Sequence, residues 1–215
     1  MDYDPRSEPH GLAHDPGTCL VVPRPIGWIT TISPTGVVNL APYSFFNIIS
    51  TKPHFVMFSS SGRKHSQRNT EISGEFVFNL ATYDLRIEMN VTGSDHPEHL
   101  SEAELAGLEM APSRKVKPPR VARSPIALEC IYNKTIDLLP ANGKKSVNAL
   151  VIGEVVNVHI DDAVIVNGNI DMARIRPLAR LGYMDYTSVD NIFTMHRVPV
   201  QSSVPQPAPF KPVAS

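Results

Sequence analysis

Gly27-Trp28-Ile29-Thr30-Thr31-Ile32-Ser33-Pro34-Thr35-Gly36-Val37-Val38-Asn39-Leu40 is the stretch that decides the fold. β-Branched and aromatic residues fill it as far as Ser33, Pro34-Thr35-Gly36 supplies a turn, and Val37 resumes the apolar run, which predicts a β-hairpin. The hairpin lies inside a longer segment, Pro25 to Thr51, that contains no charged residue. A membrane-spanning helix accounts for that segment badly, because Pro25, Gly27, Pro34, Gly36 and Pro42 interrupt it repeatedly. Its threonines, serines and asparagines also favour strands and turns. Buried strands, with backbone groups paired inside a barrel, account for it better.

The strand pattern continues on the C-terminal side. His54-Phe55-Val56-Met57-Phe58-Ser59 and Glu75-Phe76-Val77-Phe78-Asn79-Leu80 read as strands, and longer ones are expected over Ile126–Thr135 and Ala149–Ile160. A short helix is expected over Ser66–Ser73, with Ser66 as its N-cap and Gly74 just past its end. Ser101-Glu102-Ala103-Glu104 has the form of a capping box and predicts another short helix that ends at Gly107. Asn167-Gly168-Asn169 reads as a turn. Many strands, few short helices and no regular β-α alternation argue for a mainly β fold, a closed barrel with helical decorations, and against a doubly wound sheet.

The 215 residues suit one domain with extended ends: an arm over 1–16, the barrel over 17–197 and a Pro-rich tail over 198–215. Twenty basic and 21 acidic residues leave a net charge of -1, so broad electrostatic binding to nucleic acid or to an anionic membrane is not expected, and any phosphate site must be local. The N-terminus lacks the basic and apolar regions of a secretory signal. Two cysteines outside any metal or C-x-x-C spacing suit free thiols and a cytoplasmic location.

Two segments carry chemistry. Ser59-Ser60-Ser61-Gly62-Arg63-Lys64-His65-Ser66-Gln67-Arg68-Asn69 is a hydroxyl-rich loop that leaves a strand and enters a helix, with two cations at the junction. A helix N-terminus offers unpaired N–H groups and partial positive charge, which suits a phosphate monoester. Arg63 can add a bidentate contact, Lys64 a point charge and Ser66 a hydroxyl, while Asn69 falls on the same side of the helix as Ser66. A solvated loop with an ordinary cap explains the same residues equally well. The second segment, Asn39-Leu40-Ala41-Pro42-Tyr43-Ser44-Phe45-Phe46-Asn47, interrupts apolar residues with polar ones. A planar, amphipathic ring bound against a sheet needs such a surface, although barrel core with satisfied polar groups would also produce it.

Together these stretches resemble the motifs of the flavin-reductase-like FMN-binding split-barrel family, which includes flavoredoxin and the reductase components of two-component monooxygenases. The similarity rests on Trp28–Ser33 with Gly36, Asn39–Asn47, Arg63-Lys64-His65-Ser66 with Asn69, Gly74–Leu80, Ala106-Gly107-Leu108 and Pro177–Gly182, and runs in order from about Pro23 to Tyr186. It implies a six-stranded Greek-key split barrel that forms a homodimer, with non-covalent FMN near the subunit interface and NAD(P)H as a transient reductant. It also implies that Arg63, Lys64 and Ser66 hold the phosphate. Thr30, Thr31, Asn39, Ala41, Pro42, Tyr43, Ser44, Ser59 and Ser60 would lie along the flavin, and Arg180 and Tyr186 would approach flavin or substrate. The family often has Asp-Thr where this chain has His65-Ser66, so the hydroxyl is kept and an acidic group is replaced by a titratable base. The expected activity is NAD(P)H:flavin oxidoreduction, with a flavin, a monooxygenase or another protein as acceptor. A flavoredoxin-like electron carrier and a non-catalytic FMN-binding protein are the alternatives.

Other chemistries fail on spacing. Gly143-Lys144-Lys145-Ser146 is not a phosphate-binding Walker loop, because Leu138 stands where its first glycine belongs. No G-x-G-x-x-G appears, so a resident Rossmann domain for the nicotinamide is not expected. Asp95-His96-Pro97-Glu98-His99 reads as a surface loop rather than a metal site.

Overall fold

Strand β2 (Gly27–Ile32) pairs antiparallel with β3 (Val38–Tyr43) through the turn at Pro34-Thr35-Gly36, so the hairpin read from the sequence is present. The computed structural model describes residues 1–141, 143 and 146–197; the Pro-rich tail lies outside the described residues. After a two-residue strand β1 (Arg24–Pro25) and the hairpin come β4 (Phe46–Thr51), β5 (His54–Ser61), helix α1 (His65–Ser73) and β6 (Glu75–Leu80). Short helices α2 (Arg86–Val91) and α3 (Glu102–Leu105) and the small pair β7 (Met110–Ala111) and β8 (Arg120–Val121) precede the long strands β9 (Ile126–Asp137) and β10 (Asn148–Ile160). The chain then runs through β11 (Ile165–Val166), β12 (Asn169–Ile170), α4 (Met172–Ile175), β13 (Leu178–Gly182) and β14 (Asp185–Ser188).

The main sheet has seven strands in the order β3-β2-β6-β9-β10-β5-β4, one more than the expected six, because β4 adds to β5 as an edge hairpin. All its pairings are antiparallel. Its two edges, β3 and β4, are consecutive in the chain and separated only by Ser44 and Phe45. The sheet must therefore curl until its edges share one corner, a barrel split where they fail to pair. The Ser59 N–H donates to the Phe45 carbonyl at 2.8 Å and ties that corner to β5. A separate sheet, β1-β13-β14, lies beside the barrel.

Residues of β2 are buried on both faces, which explains the missing charge in this part of the chain. Ile29 joins Phe46, Val56, Phe58, Phe76, Phe78, Cys130 and Val151 in the barrel interior. A Cβ on Gly27 would sit 2.4 Å from the Phe46 ring, so only glycine lets that ring stack on Phe78 with centroids 4.5 Å apart. Trp28, on the other face, packs with Leu40, Leu85, Met89 and Leu178. Its indole Nε1–H donates to Thr92 Oγ1 at 2.9 Å, which fixes the chain just past α2.

Both predicted caps differ from expectation. Helix α1 begins at His65 with Lys64 at the N-cap position, and no side chain caps it. Ser66 lies inside the first turn, where its hydroxyl accepts from Asn39 Nδ2 at 2.9 Å and so docks the helix on the hairpin. Ser101 occupies the N-cap of α3 but makes no capping bond. Because β3 is an edge strand, the Leu40 N–H faces away from β2, and the buried Glu102 carboxylate accepts it at 3.0 Å. Gly74 does end α1 in the left-handed conformation, and Asn167-Gly168 forms the turn between β11 and β12. Among the described residues no helix is long and apolar enough to cross a membrane. Cys19 and Cys130 are free thiols, and burial pushes the Cys130 thiol pKa up.

Candidate functional site

Two adjoining cavities form a groove along β3. The first, about 320 Å³, is lined by Asn39, Ala41, Pro42 and Tyr43 from the strand and Lys64, His65 and Ser66 from the start of α1. The second, about 310 Å³, carries on past Pro42 to Ser44, Arg180 and Tyr186. Pro42, Gly93 and Ser94 border both, so the two read as one elongated site.

Local sequence explains the cationic end. Gly62 has φ +72°, a conformation that turns the chain sharply after β5, and the Lys64 N–H donates back to the Gly62 carbonyl at 2.9 Å. Lys64 then meets Asp95 across the groove mouth, Nζ to Oδ1 2.9 Å. The Lys64 ammonium, with His65 and His96 adding to it, holds the Asp95 carboxyl below its ordinary pKa. On the floor, burial raises the Tyr43 phenol pKa against hydrogen bonds with Ser66 and Ser60 that would lower it. Tyr43 therefore stays a neutral hydroxyl at physiological pH, able to donate.

The structure divides the residues predicted for the site. Asn39, Ala41, Pro42, Tyr43, Ser44, Lys64, Ser66, Arg180 and Tyr186 line the groove. Thr30, Thr31, Ser59, Ser60 and Asn69 do not; all five are buried in the supporting layer. Thr30 Oγ1 accepts from Asn79 Nδ2 at 2.8 Å, and Thr31 Oγ1 accepts from Asn69 Nδ2 at 3.2 Å. Ser60 donates to the Gly62 carbonyl at 2.8 Å, and Ser59 accepts from Asn148. Arg63 is also separated from Lys64. It pairs with Glu71 at 2.6 Å and faces a different cavity, beside Gln67 and Thr135. Successive residues at a sharp turn point apart, so two adjacent cations in sequence do not make one cradle.

Sequence reasoning missed the opposite wall: Thr92, Gly93, Ser94, Asp95, His96 and Glu102. The Thr-Gly-Ser run after the short amphipathic helix α2 is a signal that could have found part of it. Glu102 offered none, because it fell at an unassigned position between Ser101 and Glu104, the pair that read as a capping box. Asp95, Pro97, Glu98 and His99 are exposed, as expected of a surface loop, but His96 is half-buried and its Nε2 has no partner among the described residues. No group of His, Cys, Asp and Glu among them could hold a metal ion.

The groove fits a flavin mononucleotide. An uncapped helix start, Lys64 and the orphaned His96 nitrogen suit a phosphate at one end, and the strand segment from Ala41 to Ser44 suits a flat ring farther along.

Comparison with known proteins agrees. Residues 19–178 match the flavin reductase like domain family. An uncharacterized protein of Halalkalibacterium halodurans is 35% identical over 184 residues, 82% of this chain and 87% of that one. Among solved structures, nitrilotriacetate monooxygenase component B from Bacillus cereus superposes with a TM-score of 0.82 at 29% identity, covering 91% of this chain and 98% of that one. Flavoredoxin of Desulfovibrio vulgaris, at 18% identity, shares the fold with a TM-score of 0.74, covering 88% of this chain and 96% of that one. With its split β-barrel and its groove along β3, the chain belongs to the flavin-reductase-like family.

Proposed function

We propose that this protein is an FMN-dependent NAD(P)H:flavin oxidoreductase that works as a homodimer. The observation that carries the reading is the continuous groove from Lys64 and Ser66 at one end to Arg180 and Tyr186 at the other. FMN held in the groove would supply hydride chemistry between a nicotinamide and an acceptor, a second flavin or a partner such as a monooxygenase. Lys64 and the uncapped N–H groups of α1 bind the phosphate, and Ser66 adds its hydroxyl. Tyr43 donates a hydrogen bond from a neutral phenol. Arg180 attracts the phosphates of the nicotinamide dinucleotide, which is held only while it reacts. Hydride transfer needs no side-chain acid or base, and none is assigned. The second subunit closes the site at the split edge, where Phe45, Ile48 and Ile49 are exposed on and beside β4.

The test is to reconstitute the purified protein with FMN and follow oxidation of NADH and NADPH. Turnover with either supports the reading. Tight, stoichiometric FMN without nicotinamide oxidation would replace it with an electron carrier or a binding protein, and failure to bind any flavin would remove it.

A further inference from the structure

A third cavity, about 310 Å³, lies between α2 and the β13–β14 hairpin and adjoins the Arg180 end of the groove, with which it shares Met89, Asn90 and Tyr186. Its volume is within the roughly 300–1,000 Å³ of small-molecule sites. Ile87, Met89 and Leu178 give it apolar walls, and Tyr83 and Tyr186 also line it. Its charge is one-sided. Arg86 and Arg176 lie over the Tyr83 ring, 4.0 and 4.1 Å from its centroid. The exposed Asp84 reaches only Arg176, at 3.9 Å. Glu88, the other acidic group of α2, is taken by Arg123 at 2.8 Å. Arg86 donates to the Tyr83 carbonyl at 2.8 Å and has no carboxylate partner among the described residues.

We propose that this cavity binds a small planar aromatic monocarboxylate. Two tyrosines and three apolar side chains in the lining favour a ring, and they disfavour a heavily hydrated anion. The Arg86 guanidinium at the rim gives one N–H to the Tyr83 carbonyl and has others in its fork to offer a carboxylate. Tyr186 is the shared wall: its ring borders this cavity and the groove, with the Arg180 guanidinium 4.4 Å from its centroid. A bound acid would therefore touch the same ring that closes the nicotinamide end of the groove. The inference goes beyond the proposed function and does not require it.

Calorimetry of the whole protein with benzoate, with and without saturating FMN, tests this. Saturable benzoate binding in both conditions is expected, with none for benzylamine. Arg86→Gln should weaken binding about tenfold or more, the loss of a charge-assisted contact. Ile87→Asp, at an exposed position that leaves the core intact, should weaken it comparably by repulsion. Displacement of benzoate by FMN, equal binding by Arg86→Gln, or no saturable binding would overturn the site. Because FMN titration is read separately, a chain that takes benzoate and no flavin would sink the proposed function and leave this inference standing.

Discussion

The Lys64 ammonium donates to the Asp95 carboxylate at 2.9 Å, so the cation that would hold a phosphate already has an internal anion on it. Both side chains are largely exposed, and such pairs contribute little to stability. Their effect should appear in binding, where phosphate must displace Asp95. Asp95→Asn is expected to tighten FMN by about two- to fivefold. Lys64→Ala should weaken it about tenfold or more. Riboflavin, which lacks the phosphate, should feel neither change. Calorimetric titrations of both ligands check this, and equal affinities of the unaltered protein for FMN and riboflavin would remove the phosphate assignment.

The bond from Trp28 to Thr92 links the core to the wall of the groove, since Thr92 both accepts the indole N–H and donates to the Met89 carbonyl at 2.8 Å. Thr92→Val keeps the shape and orphans a buried donor, at a cost of about 1–3 kcal/mol in urea unfolding. Thr92→Ser should largely restore it. FMN affinity should fall in the valine variant, because Gly93 to His96 lose their anchor. Destabilisation with unchanged affinity would mean that the wall is held by other contacts.

Fold and site were legible to different degrees. Strand β2 is readable because double-sided burial removes charge and enriches β-branched residues, and β6 is readable as the apolar run Phe76-Val77-Phe78 that follows just past Gly74. Ser66 and Glu102 escape a local reading for a common reason. Ser66 fits an N-cap pattern and Glu102 is an unassigned position inside the Ser101/Glu104 capping box, yet each is used across the fold, Ser66 by Asn39 and Glu102 by Leu40, contacts at sequence separations that no local window contains. Arg63 and Lys64 look like one unit in sequence, but adjacency says nothing about direction after a positive-φ turn at Gly62.

Glu71 gives a pH prediction. Burial would raise its pKa, but hydrogen bonds from Gln67, Thr135 and Arg63 together outweigh that and lower it. A carboxylate with a depressed folded pKa contributes stability above its unfolded pKa, about 4.3, and loses it as pH falls through the lower folded value. Glu71→Gln should therefore destabilise the protein at neutral pH, and the difference from the unaltered protein should shrink in strongly acidic buffer. Urea midpoints across that range decide it; a pH-independent difference would assign the effect to packing.

The exposed edge strand β4 carries Ile48 at 45% and Ile49 at 50% exposure, with Phe45 beside it. An open apolar edge invites pairing with another chain. Sedimentation should show a dimer, and Ile48→Asp with Ile49→Asp should shift it toward monomer and lower FMN occupancy together. A monomer of the unaltered protein with full flavin occupancy would refute the shared site.

Arg180 sets the final prediction. It donates to the Tyr186 hydroxyl and the Tyr183 carbonyl and has no carboxylate partner among the described residues, so its charge is free to act on an anion in the groove. If the nicotinamide stacks only transiently in the groove, it should be held weakly, with a KM toward the upper part of the usual range of roughly 1 μM–1 mM. If Arg180 attracts the phosphates of NAD(P)H, Arg180→Ala should raise KM more than it lowers kcat, the mark of lost uniform binding. If it instead supports the flavin, FMN affinity should fall while KM hardly moves. Stopped-flow reduction of the FMN-saturated variant separates the two, because only the first case slows reduction at low nicotinamide and recovers at high concentration. Unchanged FMN affinity with unchanged reduction kinetics would exclude Arg180 from the site and leave it the simpler task of pinning Tyr186 in the wall between the two cavities.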